Sequence, residues 1–195
     1  MNFPIEFNFK IIALTNRIFV RDARQNVIGF AHQKFFKLKE DIRIYSDETQ
    51  SRQIYNIKAD RILDFSATYV FFNEAGVELG SIRRKGMRSI WKAEYHLFDA
   101  NRDQIMLINE ENAWRKVADS LFAEIPLVGM FTGYFFNPSY LVTRTNGAEA
   151  ARFTKEPAFF ESKFHLSKSA ELSENEEDLI YLGTLMMAIL ERSRG

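Results

Sequence analysis

The sequence predicts a mainly β protein, a closed antiparallel barrel of roughly ten to twelve strands with an apolar C-terminal helix inside it. Three observations lead to this fold class. Five segments have the pattern of strand, polar turn and strand. Phenylalanine is abundant, at 19 residues, and an uncharged stretch, LIYLGTLMMAIL, comes close to the end of the chain. The length of 195 residues suits a single domain over 1–195.

The strands are predicted from alternation and from turn signals. A first strand over Phe3–Ile11 alternates apolar and polar residues, as expected for a strand with one buried face. Five hairpins follow, with Asp, Asn or Gly residues that favour turns. Their turns lie at Asp22–Asn26, Asp47–Ser51, Asn73–Gly76, Asp99–Asp103 and Asn146–Gly147. A last strand is predicted over Ala158–Leu166.

This number of strands predicts closure, because closing the sheet removes its exposed edges. Side chains alone fill a barrel of about eight strands, so a wider barrel needs another element in its interior. The hairpins start at uneven intervals, which argues against a propeller or a solenoid.

Two helices interrupt the strands. The first, amphipathic and predicted over about 112–125, ends at Pro126 and has its apolar face at Trp114, Val117, Ala118, Leu121, Phe122 and Ile125. The second is predicted over about 173–192, where Ser173 and Glu176 have the spacing of a capping box. Its apolar stretch, Leu179–Leu190, would span about 18 Å against roughly 30 Å for a bilayer core. We therefore predict a helix buried in the barrel, with membrane insertion as the alternative.

Composition excludes several classes of function. The 26 basic and 26 acidic residues cancel, so bulk attraction to nucleic acid is not expected. The absence of cysteine excludes disulfides and thiolate chemistry. None of the three histidines pairs with another at a metal-ligand spacing, and we find no nucleophile-elbow or phosphate-loop motif. We predict no catalytic residue, no metal and no cofactor; the alternative is a composite site assembled from residues of several strands. No signal peptide is recognised at the start of the sequence, which favours a cytoplasmic location.

One cationic segment is a candidate for anion binding. The sequence IRRKGMRSIWK carries five cations within ten residues, beside a glycine and a tryptophan. Arginine and lysine recognise phosphate groups, so this segment predicts an anionic-lipid site. Its residues are Arg83, Arg84, Lys85, Arg88 and Lys92. The alternative is a solvated loop between strands.

A second candidate is the apolar segment Ile125–Pro138, which is rich in Gly and Pro. If Leu127, Met130 and Phe131 are exposed, the segment is a loop that dips into a membrane or binds a partner. The alternative is a loop packed over one end of the barrel.

The hairpins FVRDARQNVIGFA, YVFFNEAGVELGSIRRK and YHLFDANRDQIMLI, the segment FFNPSYLV and the apolar terminal helix occur in an order that resembles the tubby C-terminal-like superfamily. Within it, the chain is similar to the LURP-one-related proteins and the phospholipid scramblases. The resemblance implies a closed barrel of about twelve strands around a central hydrophobic helix. It also implies a non-enzymatic module. Tubby domains bind phosphoinositides.

The chain differs from the scramblases in two respects. It lacks their Pro-rich and Cys-rich segments, and the acidic run Glu171–Asp178, where they bind calcium, is explained by the start of a helix. Lipid scrambling is therefore not expected. We predict a lipid-binding module, peripheral at the membrane and with anionic phospholipid as its partner. The alternative is a soluble scaffold or protein-interaction domain without a ligand. The sequence identifies no protein partner.

Overall fold

The computed structural model describes residues 1–12, 15–34, 41–61, 67–85, 94–111, 138–156 and 162–192. These ranges contain twelve strands and one helix. The strands are β1 (Ile5–Ile12), β2 (Thr15–Arg21), β3 (Val27–Lys34), β4 (Asp41–Tyr45), β5 (Gln53–Ala59), β6 (Thr68–Asn73), β7 (Glu78–Arg84), β8 (Glu94–Asp99), β9 (Gln104–Glu110), β10 (Ser139–Arg144), β11 (Glu149–Glu156) and β12 (Ser162–Lys168), and the helix is α1 (Glu174–Arg192). The amphipathic helix predicted over 112–125 lies outside the described residues.

The strands form a closed antiparallel barrel, which confirms the predicted fold class. Each strand pairs with its neighbours in sequence, and β1 closes the sheet by pairing with β12. The five predicted turns join β2–β3, β4–β5, β6–β7, β8–β9 and β10–β11, so they all lie at one end of the barrel, which we call the turn end. The other connections between strands leave from the opposite end, the loop end.

Carboxylates organise several of these turns. Asp22 Oδ1 accepts hydrogen bonds from the backbone N–H groups of Arg24 and Asn26, both at 2.9 Å. Asp99 Oδ1 makes the same pair of contacts with the N–H groups of Asn101 and Asp103, again at 2.9 Å. Such bonds hold the backbone in the turn conformation without help from the core. Local sequence therefore determines where the strands reverse.

The start of α1 has the capping box that the sequence predicts. The N–H of Ser173 donates to Glu176 Oε2 at 2.9 Å, and the N–H of Glu176 donates to Ser173 Oγ at 3.3 Å. The two bonds satisfy backbone donors that a helix start leaves without partners. The helix begins at the turn end and runs towards the loop end.

Beyond this cap, α1 lies inside the barrel. Every residue from Leu179 to Ile189 is buried, including residues on opposite faces of the helix. The Tyr181 ring packs against Phe7 of β1 and Tyr55 of β5, both at 5.8 Å between ring centroids. Gly183 lies against Leu97 of β8, on another side of the barrel. The helix therefore occupies the barrel axis. Within the described ranges, no helix combines the length and apolar character needed to cross a membrane.

Candidate functional site

Strand β7 carries the first part of the predicted cationic segment. It continues two residues past Ile82, so Arg83 and Arg84 belong to the strand and not to a loop. Ile82 and Tyr95, the partner of Arg84 on β8, are both fully buried inside the barrel. Because side chains alternate along a strand, Arg84 shares the inner face with Ile82 and is only 8% exposed. The segment thus presents one cation inwards at the loop end.

Two neighbouring cations face outwards. The guanidinium of Arg83 lies over the Phe98 ring, with its carbon 5.5 Å from the ring centroid, a favourable cation–π distance. Lys85 Nζ lies 3.2 Å from Glu94 Oε1, which also contacts His96 Nε2 at 2.7 Å. The hydrogen bond from His96 lowers the pKa of Glu94, with Lys85 adding to the effect against the opposing cost of burial. Glu94 is therefore negatively charged at neutral pH and partly neutralises this rim.

A cavity of about 450 Å³ connects these side chains. We call it the cationic cavity; its described lining is Arg61, Arg83, Arg84, Lys85, His96, Phe98 and Gln104. Sequence reasoning missed Arg61, His96, Phe98 and Gln104. Arg61 comes close because Thr68 pairs with both Arg83 and the backbone of Asp60. The pairing of β6 with β7 is the signal that would have located Arg61 beside Arg83.

Arg84 is the unusual member of this group. Its Nε atom is buried and has no hydrogen-bond partner, and no carboxylate among the described residues pairs with Arg83 or Arg84. A buried guanidinium whose Nε lacks an acceptor carries a desolvation cost. An anion with several oxygens would supply the missing acceptor.

The rest of the predicted site falls outside the described residues. This applies to Arg88 and Lys92 of the cationic segment and to Leu127, Met130 and Phe131 of the apolar loop. Where the structure describes the chain, the large hydrophobic side chains that are exposed are Met1, Val27 and Val77. All three lie at the turn end, away from the cationic cavity.

A second cavity, of about 310 Å³, lies at the loop end between α1 and strands β10–β12. Its described lining is Pro138, Tyr140, Lys155, Phe164, Met187, Ala188, Glu191 and Arg192. The Arg192 guanidinium lies 5.1 Å from the Phe9 ring centroid, and burial lowers its pKa. Cations thus border both cavities at this end.

Among the described residues, no group of three or more His, Asp or Glu side chains is placed to hold a metal ion. His165 Nε2 lies 3.2 Å from Glu156 Oε1 and 3.8 Å from Glu6 Oε2 on the outer face of the barrel. His96 contacts Glu94 and Gln104 Oε1, the latter at 2.6 Å. Each histidine is therefore in contact with a side chain of at least one neighbouring strand.

Comparison with known proteins places the barrel in a family. Residues 27–171 match the sequence profile of the LURP-one-related family. Neither the curated proteins nor the solved structures gave a significant match. The matched residues extend from β3 to the segment before α1 and include all of the described lining of the cationic cavity. The family is part of the tubby C-terminal-like superfamily. The chain therefore belongs to the LURP-one-related family, as its sequence pattern indicated.

Proposed function

We propose that this protein is a non-enzymatic module that binds the phosphorylated headgroups of anionic phospholipids, phosphoinositides above all, in the cationic cavity. The proposal rests on the surroundings of Arg84. The guanidinium of Arg84 is buried at the loop end, its Nε has no acceptor, and three further cationic side chains line the same cavity. A phosphate group would supply acceptor oxygens and compensate the buried charge.

The chemistry of the cavity favours phosphate over other anions. Arginine offers a planar fork of donors that fits two phosphate oxygens, while lysine adds a mobile point charge. Arg83 is held over the Phe98 ring and Lys85 is tethered to Glu94, so both side chains are already oriented at the rim. A headgroup with more than one phosphate would contact the buried and the exposed cations together. The resemblance to tubby domains implies the same class of ligand.

Lipid scrambling is not part of the proposal. The acidic run before α1 has structural contacts, since Glu176 both closes the capping box and accepts from Arg144 Nε at 2.9 Å. The Arg144 hydrogen bond lowers the pKa of Glu176 against the cost of burial, so this carboxylate is charged and paired at neutral pH. Glu177 is paired as well, with Lys168 Nζ at 3.6 Å.

Vesicle flotation tests the proposal. Purified protein is mixed with phosphatidylcholine vesicles, with or without phosphatidylinositol bisphosphate or phosphatidylserine, at low and at physiological salt. We expect flotation only with anionic vesicles, strongest with the bisphosphate, and weaker as salt screens the charges. Arg84→Met keeps the side-chain length and removes the charge. It should weaken binding at least tenfold, about 1.4 kcal/mol, because charge-assisted hydrogen bonds are lost.

Matched double variants separate the cavity from net charge. Arg83→Ser with Lys85→Ser removes two exposed cations at the loop end, and Arg24→Ser with Arg102→Ser removes two exposed cations at the turn end. Only the first pair should reduce flotation. Equal loss in both pairs, or unchanged binding in Arg84→Met, would contradict the cavity as the site. No flotation of folded wild-type protein would favour the soluble scaffold instead.

A further inference from the structure

A larger cavity lies at the opposite end of the barrel, beside the start of α1. Its volume is about 700 Å³. We call it the turn-end cavity; its lining is Met1, Asn2, Asp22, Ile28, Arg52, Ile54, Tyr55, Asn73, Glu74, Ala75, Leu79, Asp178 and Tyr181. Four of these residues are charged side chains, and three of the four are carboxylates. The cavity therefore differs in chemistry from the cationic cavity at the loop end.

Most charged groups in the turn-end cavity already have partners. Arg52 binds Glu74 through two contacts, at 2.8 and 2.5 Å. Asp22 accepts from two backbone N–H groups and from the side-chain amides of Asn2 and Asn26. The amino group of Met1 contacts Glu177, just outside the cavity. Each of these groups is therefore already engaged in an ion pair or in several hydrogen bonds.

Asp178 is the exception. Its Oδ1 accepts one hydrogen bond, from the Tyr55 hydroxyl at 2.8 Å, and no cation among the described residues forms an ion pair with it. The carboxylate is partly buried, and desolvation raises its pKa although the Tyr55 hydrogen bond opposes the rise. The N-terminal ammonium group of Met1 also lowers this pKa through its charge, but it is bound to Glu177 and forms no ion pair with Asp178. The second carboxylate oxygen therefore has no direct cationic partner among the described residues.

The walls around this carboxylate are aromatic and apolar. The Tyr55 and Tyr181 rings meet edge to face, 5.8 Å apart, and Ile28, Ile54 and Leu79 form the apolar wall. The Tyr181 hydroxyl is fully buried and has no partner within the described residues. Aromatic faces attract cations, and apolar side chains bind hydrocarbon. A carboxylate without a direct ion-pair partner among the described residues thus lies beside surfaces that suit an organic cation.

We propose that the turn-end cavity binds a small organic amine, whose ammonium group pairs with Asp178 and whose hydrocarbon part packs on Ile54 and Leu79. The ammonium group donates to Asp178 Oδ2 while Tyr55 keeps its bond to Oδ1. This site is separate from the proposed lipid site, so either proposal stands without the other.

Other ligand classes fit the cavity less well. An anion would be repelled by the carboxylates of Asp22 and Asp178, and the two cationic groups of the described lining, Arg52 and the Met1 amino group, are already bound to Glu74 and Glu177. A divalent metal needs several free oxygen ligands, whereas Asp22 already accepts four hydrogen bonds and Glu74 is paired with Arg52. A neutral apolar molecule would bury Asp178 further without compensating its charge.

A titration followed by two-dimensional NMR of the full chain tests this inference. The probe is 2-phenylethylamine, and the matched ligands are 2-phenylethanol, which is neutral, and 3-phenylpropionate, which is an anion. We expect saturable shifts of the amides of Tyr55, Leu79 and Asp178 with the amine alone. The Asp178→Asn variant should weaken amine binding at least tenfold, because the ion pair is lost while the shape and the Tyr55 hydrogen bond remain.

Glu48→Gln is the matched control, since it removes an exposed carboxylate of the turn end that lies outside the cavity. Amine binding should be the same in this variant as in wild type. Equal shifts with amine and alcohol would show that the charge is not recognised, and equal binding by wild type and Asp178→Asn would remove Asp178 from the site. The comparison of ligands uses wild-type protein, so it decides the question even if Asp178→Asn does not fold.

Discussion

Asp178 illustrates how a single side chain links stability to binding. Its carboxylate is partly buried beside Tyr55, and burial raises its pKa above the value in the unfolded chain. An acid with a raised pKa holds its proton more tightly in the folded state, so ionisation costs folding free energy at neutral pH. That cost is present above the folded pKa and disappears as the pH falls below about 3.9, the unfolded value.

We therefore expect Asp178→Asn to melt at a higher temperature than wild type at pH 7, and the difference to shrink as the pH falls towards 4. Asparagine keeps the acceptor for Tyr55 and removes the charge. Thermal unfolding of both proteins across this pH range measures the effect. The amine probe should raise the melting temperature of wild type more than that of the variant. A lower melting temperature for Asp178→Asn at pH 7 would show that the charge stabilises the fold.

At the scale of elements, the contact between α1 and β7 depends on a missing side chain. A Cβ at Gly80 would lie 2.2 Å from the backbone oxygen of Phe98 and 2.7 Å from Leu179 Cδ2 on α1. The first neighbour is backbone and cannot turn away. Gly80 also has a φ of 151°, which L side chains rarely adopt. The glycine thus lets the helix and the strand approach each other.

Gly80→Ala should lower the free energy of unfolding by about 3 kcal/mol or more, because overpacking adds to backbone strain. Gly76→Ala is the control, since Gly76 also has a positive φ, of 76°, but a Cβ at this position would meet no atom within 4 Å. It should cost only about 1–2 kcal/mol, the strain of a left-handed backbone. Urea unfolding of both variants gives the difference. Equal losses would mean that the contact with Phe98 and Leu179 relaxes.

At the same scale, some features could be predicted from the sequence and others could not. The turns at Asp22 and Asp99 and the cap at Ser173 depend on residues within a few positions, so their local patterns predicted them correctly. Arg84 faces inwards because β7 extends to this residue and side chains alternate between the two faces of a strand. Arg61 and Asp178 join their cavities through strand pairing and helix packing, which no local pattern encodes.

The whole molecule is a closed sheet with its own helix as core, and the turn-end cavity and the cationic cavity differ in the charges of their described linings. Ion pairs and hydrogen bonds fix α1 near both ends, with Arg144 on Glu176 at the turn end and the Tyr95 hydroxyl on Glu191 Oε1, at 2.5 Å, at the loop end. Between them, the buried side chains of the helix fill the space that twelve strands enclose. Removal of the helix would leave those strands without a core, so helix and barrel depend on each other.

Native-state hydrogen exchange tests this dependence. We expect the amides of Leu182–Met187 to exchange with the same free energy as those of β7 and β8, equal to that of global unfolding, because the helix cannot leave without opening the sheet. Leu185→Ala should lower all of these values together, by about 2–5 kcal/mol, as expected for a truncated core leucine. If the helix amides exchange more easily than those of the strands, α1 leaves a barrel that stays folded. Its apolar surface would then be available to a membrane, which would restore insertion as a mode of binding.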